Sequence, residues 1–263
     1  MGIKTKRPFR FIYTGYRNGS INMAMDEAVM IGLEKHLSTP VLRVYKWHPP
    51  TISIGYFQPI SEIDLKKCST DGIGVVRRLT GGRAVLHDKE LTYSIIFSEE
   101  EFEPFTKKEI FTFIANCLIE TLRLLGIEAR IAEKSRGNLK SPDCFASPAQ
   151  YELETTKGEK LIGSAQVIRR GIVLQHGAIP ITDSYKKISQ YLTDYNQPTP
   201  KLSKSLSESA GRIITEEELL RAIFDGFSNF INLEDGEFTS YESLLIRKLS
   251  KEKYSAEEWL KRR

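Results

Sequence analysis

The stretch Gly74-Val-Val-Arg-Arg-Leu-Thr-Gly-Gly-Arg-Ala-Val-Leu-His-Asp88 sets the reading of the fold. Its first five residues form a short strand that ends in a basic pair, and Gly81-Gly82 then breaks the extended pattern. Leu91-Thr-Tyr-Ser-Ile-Ile-Phe97 reads as a further strand, placed to pair with the first as a hairpin. Upstream, Pro40-Val-Leu-Arg-Val-Tyr-Lys-Trp47 alternates as a strand, His48-Pro-Pro50 turns the chain, and Thr51-Ile-Ser-Ile-Gly-Tyr-Phe57 begins another. Downstream, a second strand cluster is expected from Ile127 to Ala132, Tyr151-Glu-Leu-Glu154, Lys160 to Val167 and Gly171 to Pro180. Helices frame the two clusters. Asn18 to about Leu33 has turn formers followed by apolar residues at helical spacing, a capped amphipathic helix with its methionines in the core. Ile110, Phe113, Ile114, Cys117, Leu118 and Leu122 keep the same spacing ahead of a stop at Gly126, which buries Cys117. Glu133 to Asp143 is a polar loop, Asp194 to Gly211 a Pro- and Ser-rich connector, and Thr215 to Arg263 a set of amphipathic helices.

With 263 residues, 40% hydrophobic and 27% charged, the chain suits one large soluble domain with a substantial core. The net charge of +4 is modest and its basic residues are dispersed, which does not indicate a nucleic-acid binder and suits an acidic protein partner. Cys68, Cys117 and Cys144 are odd in number and widely spaced, against a disulfide framework or a zinc site. No apolar run is long enough to cross a bilayer and the basic start lacks a signal core, so the cytoplasm, away from membranes, is the expected compartment.

Cys144, in Ser141-Pro-Asp-Cys-Phe-Ala-Ser-Pro148, precedes Lys160 in Gly158-Glu-Lys-Leu-Ile-Gly-Ser-Ala165. A thiol attacks as its thiolate and a nearby ammonium favours that form, so the pair points to covalent acyl transfer. The alternative is a loop cysteine and an unrelated surface lysine. Gly81-Gly82 lets the backbone approach a ligand, with Arg77, Arg78 and Arg83 able to meet an anion, or it is simply a hairpin turn. It matches neither common phosphate-loop pattern. His87 and His176, at strand ends, are hydrogen-bonding or proton-transfer candidates, or structural residues. Four dispersed histidines offer no metal-ligand spacing. Ser164 lacks the second glycine of a GxSxG elbow and reads as lining.

Taken in order, Ile21-Asn-Met-Ala-Met-Asp-Glu-Ala28, Ile54-Gly-Tyr-Phe-Gln58, Arg77 to Asp88, Lys160-Leu-Ile-Gly-Ser-Ala-Gln166 and Gln175-His-Gly177 resemble the biotin and lipoate protein ligase superfamily. Cys144-Phe before Tyr151-Glu-Leu most resembles its single-domain octanoyltransferases of lipoate biosynthesis. The resemblance implies an α/β fold of the α+β type, a mixed, largely antiparallel sheet flanked by helices with a helical C-terminal extension. It implies one catalytic domain over residues 1–263, its core about 36–247 and its helical part from about 215. An acyl pocket is expected between the diglycine segment and the lysine strand. Cys144 would carry the acyl group as a thioester, and Lys160 would favour the thiolate and polarise the carbonyl. Arg77, Arg78, Gly81, Gly82, Arg83, Ala84, His87, Gly163, Ser164, Ala165, His176 and Gly177 would bind acyl and pantetheine. The implied donor is octanoyl-acyl carrier protein and the acceptor a lysine of the apo glycine-cleavage H protein or a lipoyl domain. No cofactor is implied, and a monomer is expected. Arg83 stands where ATP-dependent lipoate ligases commonly have a third glycine. The rival readings are such a ligase, an amidotransferase acting between lipoyl domains, and a non-catalytic binding module.

Overall fold

The structure is a computed structural model that describes residues 2–4, 7–133, 142–146, 152–193 and 202–263. Its strands in chain order are β1 Gly2–Ile3, β2 Phe9–Arg17, β3 Val41–Trp47, β4 Thr51–Ile54, β5 Gly74–Arg77, β6 Val85–His87, β7 Glu90–Ser98, β8 Phe102–Glu103, β9 Ala129–Ile131, β10 Leu153–Thr155, β11 Lys160–Arg169, β12 Ile172–Pro180 and β13 Leu233–Asp235. The helices are α1 Gly19–Glu34, α2 Leu65–Thr70, α3 Lys107–Leu124, α4 Leu206–Ala210, α5 Glu216–Ser228, α6 Ser240–Leu249 and α7 Glu257–Leu260. Among the described residues an eight-stranded sheet runs β13-β2-β3-β7-β12-β11-β10-β9, and a three-stranded sheet runs β5-β4-β6. In the large sheet β2 pairs parallel with β13 and β3, and the other neighbours are antiparallel. The expected mixed, largely antiparallel sheet flanked by helices is what the chain forms.

Strand alternation divides the core. Leu91, Tyr93, Ile95 and Phe97 of β7, with Leu42 and Val44 of β3, pack against Ile110, Phe113, Ile114, Cys117 and Leu118 of α3 and Leu219, Ile223 and Phe227 of α5. The opposite face carries Val41 and Ile96 against Val29, Met30 and Leu33 of α1. Farther along that face, polar Thr92 and Ser94 replace the aliphatics. Asn18 caps α1, as its sequence suggests, and Thr106 caps α3, each by accepting from a backbone N–H group. Among the described residues no helix is long and apolar enough to cross a membrane.

Some expectations need correction. Leu91–Phe97 does not pair with the Gly74 strand: β7 lies between β3 and β12, while β5 pairs with β4 in the small sheet. The physical reason is that β7 is buried on both faces, which requires a central position in the larger sheet. The C-terminal part is not wholly helical, since β13 adds an edge strand beside β2. Within the connector, Ser205 and Glu208 form a capping box that starts α4, while residues 194–201 lie outside the described residues. Most of the Glu133 to Asp143 loop, and Tyr151, also lie outside them.

Candidate active site

The cysteine segment is anchored at several points. The Ala84 N–H donates to the Pro142 carbonyl (2.9 Å), the Cys144 N–H donates to the Ala84 carbonyl (2.9 Å), and Gln58 Nε2 donates to the Pro142 carbonyl (3.2 Å). Asp143 Oδ1 accepts from the Phe145 N–H (2.8 Å) as the chain turns through Cys144–Ala146. The Phe145 ring is buried against Tyr185, with centroids 4.5 Å apart, and beside Gly163. These contacts leave Cys144 half-buried while its neighbours are fixed.

Lys160 opens β11 and its side chain is fully buried. Its Nζ donates to the Cys144 carbonyl (2.8 Å), to Cys144 Sγ (3.4 Å) and to Glu152 Oε1 (2.8 Å). Burial opposes the charge on Lys160, but Cys144 and Glu152 outweigh it and hold the ammonium above its usual range. Burial also pushes the Asp143 carboxyl up to about 6, against the attraction of its hydrogen bond from Phe145 and of Lys160 and Arg83.

A cavity of about 160 Å³ extends from Cys144 between the two sheets, far more than the roughly 10–15 Å³ that one water needs. Gly163, Ser164 and Ala165 of β11 and His176, Gly177 and Ala178 of β12 form one side, and Ser53, Gly82, Arg83, Val85 and His87 the other. Met23, Tyr45, Trp47 and Thr92 extend it away from the thiol, and Glu152 lines it near Lys160. The pocket expected between the diglycine and the lysine strand is therefore present. The diglycine turn reaches the cavity by close backbone approach to the end of β4: a Cβ on Gly55 would lie 1.9 Å from the Gly82 carbonyl oxygen, and Gly82 has φ +93°.

The expected site residues separate by position. Arg78 lines the cavity but its guanidinium holds the turn, donating to the carbonyls of Ser53 (2.8 Å), Gly81 (2.9 Å) and Arg83 (2.8 Å). Burial pushes it down to about 10, so it stays charged at neutral pH. Arg77, one residue earlier, lies outside the cavity and donates to the carbonyls of Gly55, Gln58 and Leu260. Gly81 also lies outside the lining, and Ala84 serves as the backbone partner of Cys144. The Ser164 hydroxyl bonds Tyr93 OH (2.9 Å), so it turns toward the α3 side while its backbone faces the cavity.

Both histidines are held from two sides. His87 Nε2 meets Ser53 Oγ (2.8 Å) and Nδ1 meets Glu90 Oε1 (2.8 Å); His176 Nε2 meets Thr80 Oγ1 (2.7 Å) and Nδ1 faces Asp26 Oδ2 (3.4 Å). Arg78 also donates to both hydroxyls, Thr80 Oγ1 (3.2 Å) and Ser53 Oγ (3.1 Å), so the two rings and the guanidinium share one buried network. Burial pushes His176 below its usual range, outweighing Asp26. For Asp26 burial acts upward, but Arg43, with His176 and Ser94, holds the carboxyl low. Glu152, Asp26, Arg43, Tyr45 and Trp47 were not among the residues expected at the site. Only Asp26 carried a readable signal, a charge between Met23 and Met30 on the apolar stripe of α1, which requires a buried partner.

The fold and this site define an acyl-handling enzyme: a ligand-sized cavity ends at a thiol in contact with a buried ammonium. The chain belongs to the lipoyl protein ligase A/B catalytic domain family, which its residues 18–228 match. It is 39% identical over 273 residues to octanoyltransferase LipM of Clostridioides difficile (strain 630), across 97% of this chain and 99% of that protein. It is 38% identical to octanoyltransferase LipM of Geobacillus kaustophilus (strain HTA426), across 97% and 98%. Among solved structures, lipoate-protein ligase A bound with ATP superimposes with TM-score 0.81 at 27% identity, covering 97% of this chain and 99% of the other. A bipartite lipoate protein ligase from Thermoplasma acidophilum gives TM-score 0.80 at 26% identity, covering 97% and 96%.

Proposed function

We infer that this enzyme is an octanoyltransferase of lipoate biosynthesis that carries octanoyl on Cys144. The observation that carries the reading is the 3.4 Å contact of Lys160 Nζ with Cys144 Sγ at the cavity. In the first step the thiolate attacks the carbonyl carbon of octanoyl-acyl carrier protein. A bond to Sγ forms, the bond to the pantetheine sulfur breaks, and the leaving thiolate takes up a proton. In the second step the amine of a lysine on apo H protein or a lipoyl domain attacks the enzyme thioester. The amide forms, the amine loses its proton, and Cys144 leaves as the thiolate. One thioester is exchanged for another, so no nucleotide is needed for activation. Lys160 stabilises the anion and Glu152 holds Lys160 in place. The residues that line the cavity receive the acyl chain, whereas Arg77 supports the fold around it.

Residues 1–263 act in this reading as one catalytic unit, a cytoplasmic monomer, with β13 and α5 from its C-terminal part packed on the large sheet and its core. The test is intact-mass spectrometry after mixing with octanoyl-acyl carrier protein without nucleotide. One octanoyl adduct is expected, lost in Cys144→Ala, and transferable to apo H protein. The ATP-dependent ligase reading gains from the ligase neighbours. It wins if free octanoate with ATP and magnesium modifies H protein efficiently and Cys144→Ala retains that activity.

A further inference from the structure

The basic run Lys261-Arg-Arg263 follows α7, and the fold lays it against Tyr56 and Phe57, which follow β4. Several bonds fix it there. Arg77 Nη2 donates to the Leu260 carbonyl (2.7 Å), Trp259 Nε1 donates to the Arg77 carbonyl (2.9 Å), and the Ile60 N–H donates to the Arg263 carbonyl (3.0 Å). So placed, the Arg262 guanidinium lies over the Tyr56 ring (4.0 Å to the centroid) and that of Arg263 over the Phe57 ring (5.2 Å). Arg169, the last residue of β11, reaches the Tyr56 ring as well (5.1 Å). A guanidinium held on a ring face keeps its full charge. Among the described residues no carboxylate side chain pairs with these three arginines, whereas the neighbouring Lys253, Lys261 and Arg170 pair with Glu27, Glu257 and Glu34. The field they leave is felt locally. Burial acts upward on the Tyr56 phenol, but Arg262 and Arg169 outweigh it and hold the group below its usual range. Among these charges Phe57 is 62% exposed.

This patch borders the acyl site. Gly55, next to Tyr56, packs on Gly82 of the cavity wall. Gln58, next to Phe57, donates to the Pro142 carbonyl (3.2 Å), two residues before Cys144. The reaction brings two proteins to that thiol, and they differ in the charge they carry toward it. The donor arrives with a phosphodiester at the base of its pantetheine arm, and the acceptor arrives with a lysine ammonium. Guanidinium groups without carboxylate partners attract the first and repel the second.

Resting on the acyl-thioester reading above, we propose that Arg169, Arg262 and Arg263, with Tyr56 and Phe57, form the surface on which the donor carrier protein docks through an acidic face around its phosphopantetheine. The arginines steer and orient the carrier, and the exposed Phe57 ring gives the contact an apolar anchor. The arm then enters beside the diglycine turn.

The experiment uses the full chain as wild type, as the double variant Arg262→Glu with Arg263→Glu, and as Arg169→Glu. Adduct formation on Cys144 is followed by intact mass with octanoyl-acyl carrier protein and with octanoyl-pantetheine, which has neither protein nor phosphate, at low salt and at about 0.15 M. The octanoyl-enzyme is then given apo H protein. At low salt each variant should need at least about tenfold more carrier-bound donor for half-maximal rate, with the maximal rate unchanged and the salt dependence of wild type largely lost. Rates with octanoyl-pantetheine, and transfer to H protein, should not fall. Use of the carrier-bound donor at the wild-type level by either variant overturns the docking surface and leaves the thioester reading standing. Equal losses with both donors mean that the patch acts through the fold, and a loss confined to the transfer step makes it the acceptor's surface; each result overturns the proposal. If wild type makes no adduct with either donor, both readings fall.

Discussion

Replacing Lys160 by Met separates the two functions that its ammonium serves. At 3.4 Å from Cys144 Sγ, a unit charge stabilises a thiolate by about 5 kcal/mol at an effective dielectric constant of about 20. Glu152 opposes that attraction and the half-buried thiol is also reached by water, which leaves about 1.5–3 kcal/mol of stabilisation for negative charge on the sulfur. The second effect is on stability. Without Lys160 the buried Glu152 carboxylate loses its ion pair, a change that costs about 3–5 kcal/mol. The variant is therefore expected to unfold at lower denaturant and, while folded, to alkylate Cys144 with iodoacetamide at pH 7 roughly 10–100 times more slowly. Raising the pH should recover part of that rate. Adding Glu152→Gln removes the charge that Lys160 balanced, so the double variant should regain most of the stability without regaining the reactivity. The comparison is made by urea unfolding together with peptide-mapped alkylation rates across pH. Wild-type alkylation in Lys160→Met, with an unchanged pH profile, would refute the electrostatic role. Recovery of reactivity together with stability in the double variant would show that the lysine acts only through the fold.

Asp143→Asn should stabilise the protein at pH 7 by up to about 3 kcal/mol while retaining the hydrogen bond from Phe145. The folded carboxyl titrates near 6 rather than at its ordinary 3.8, so its contribution is fully present below about 3.8 and is lost as pH rises to about 6; urea midpoints between pH 4 and 7 should be flatter in the variant. Gly177→Ala should cost about 1–3 kcal/mol and slow adduct formation, because the new Cβ would lie 2.6 Å from Tyr93 Cε1, 2.7 Å from Ser164 Oγ and 2.9 Å from the Gly163 carbonyl oxygen. An unchanged melting temperature for that variant would mean the strands move apart freely there.

The motifs were readable where chemistry depends on residue type, and less so where it depends on pairing. Cys144, Lys160 and the diglycine stand out in the chain, and the structure puts Cys144 and Gly82 on one cavity wall with Lys160 against the thiol. Arg77 and Arg78 were equivalent candidates as adjacent residues of one type. Their roles diverge because one guanidinium reaches toward Leu260 and the other toward the diglycine turn, a distinction set by the placement of the small sheet. Glu152 gave no local sign, since its partner lies eight residues away across the β10 and β11 pairing. The misplaced hairpin has the same origin. Leu91 to Phe97 has the composition of a buried strand, but short-range pattern favours the nearest partner, while burial on both faces places it among partners far along the chain.

By itself the sequence determined the cap of α1, most of the longer strand segments and the cysteine and lysine that mark the chemistry, because these depend on local periodicity, turn formers and residue type, whereas the α/β class came through the family resemblance. Tertiary structure alone decided that Lys160 meets both Cys144 and Glu152, that His87 stacks on Trp47, and that one arginine lines the cavity while its neighbour lies outside it. Each of these depends on which strand lies beside which and which sheet lies opposite. Those choices are made by burying two faces at once, a long-range balance that no local stretch of residues contains.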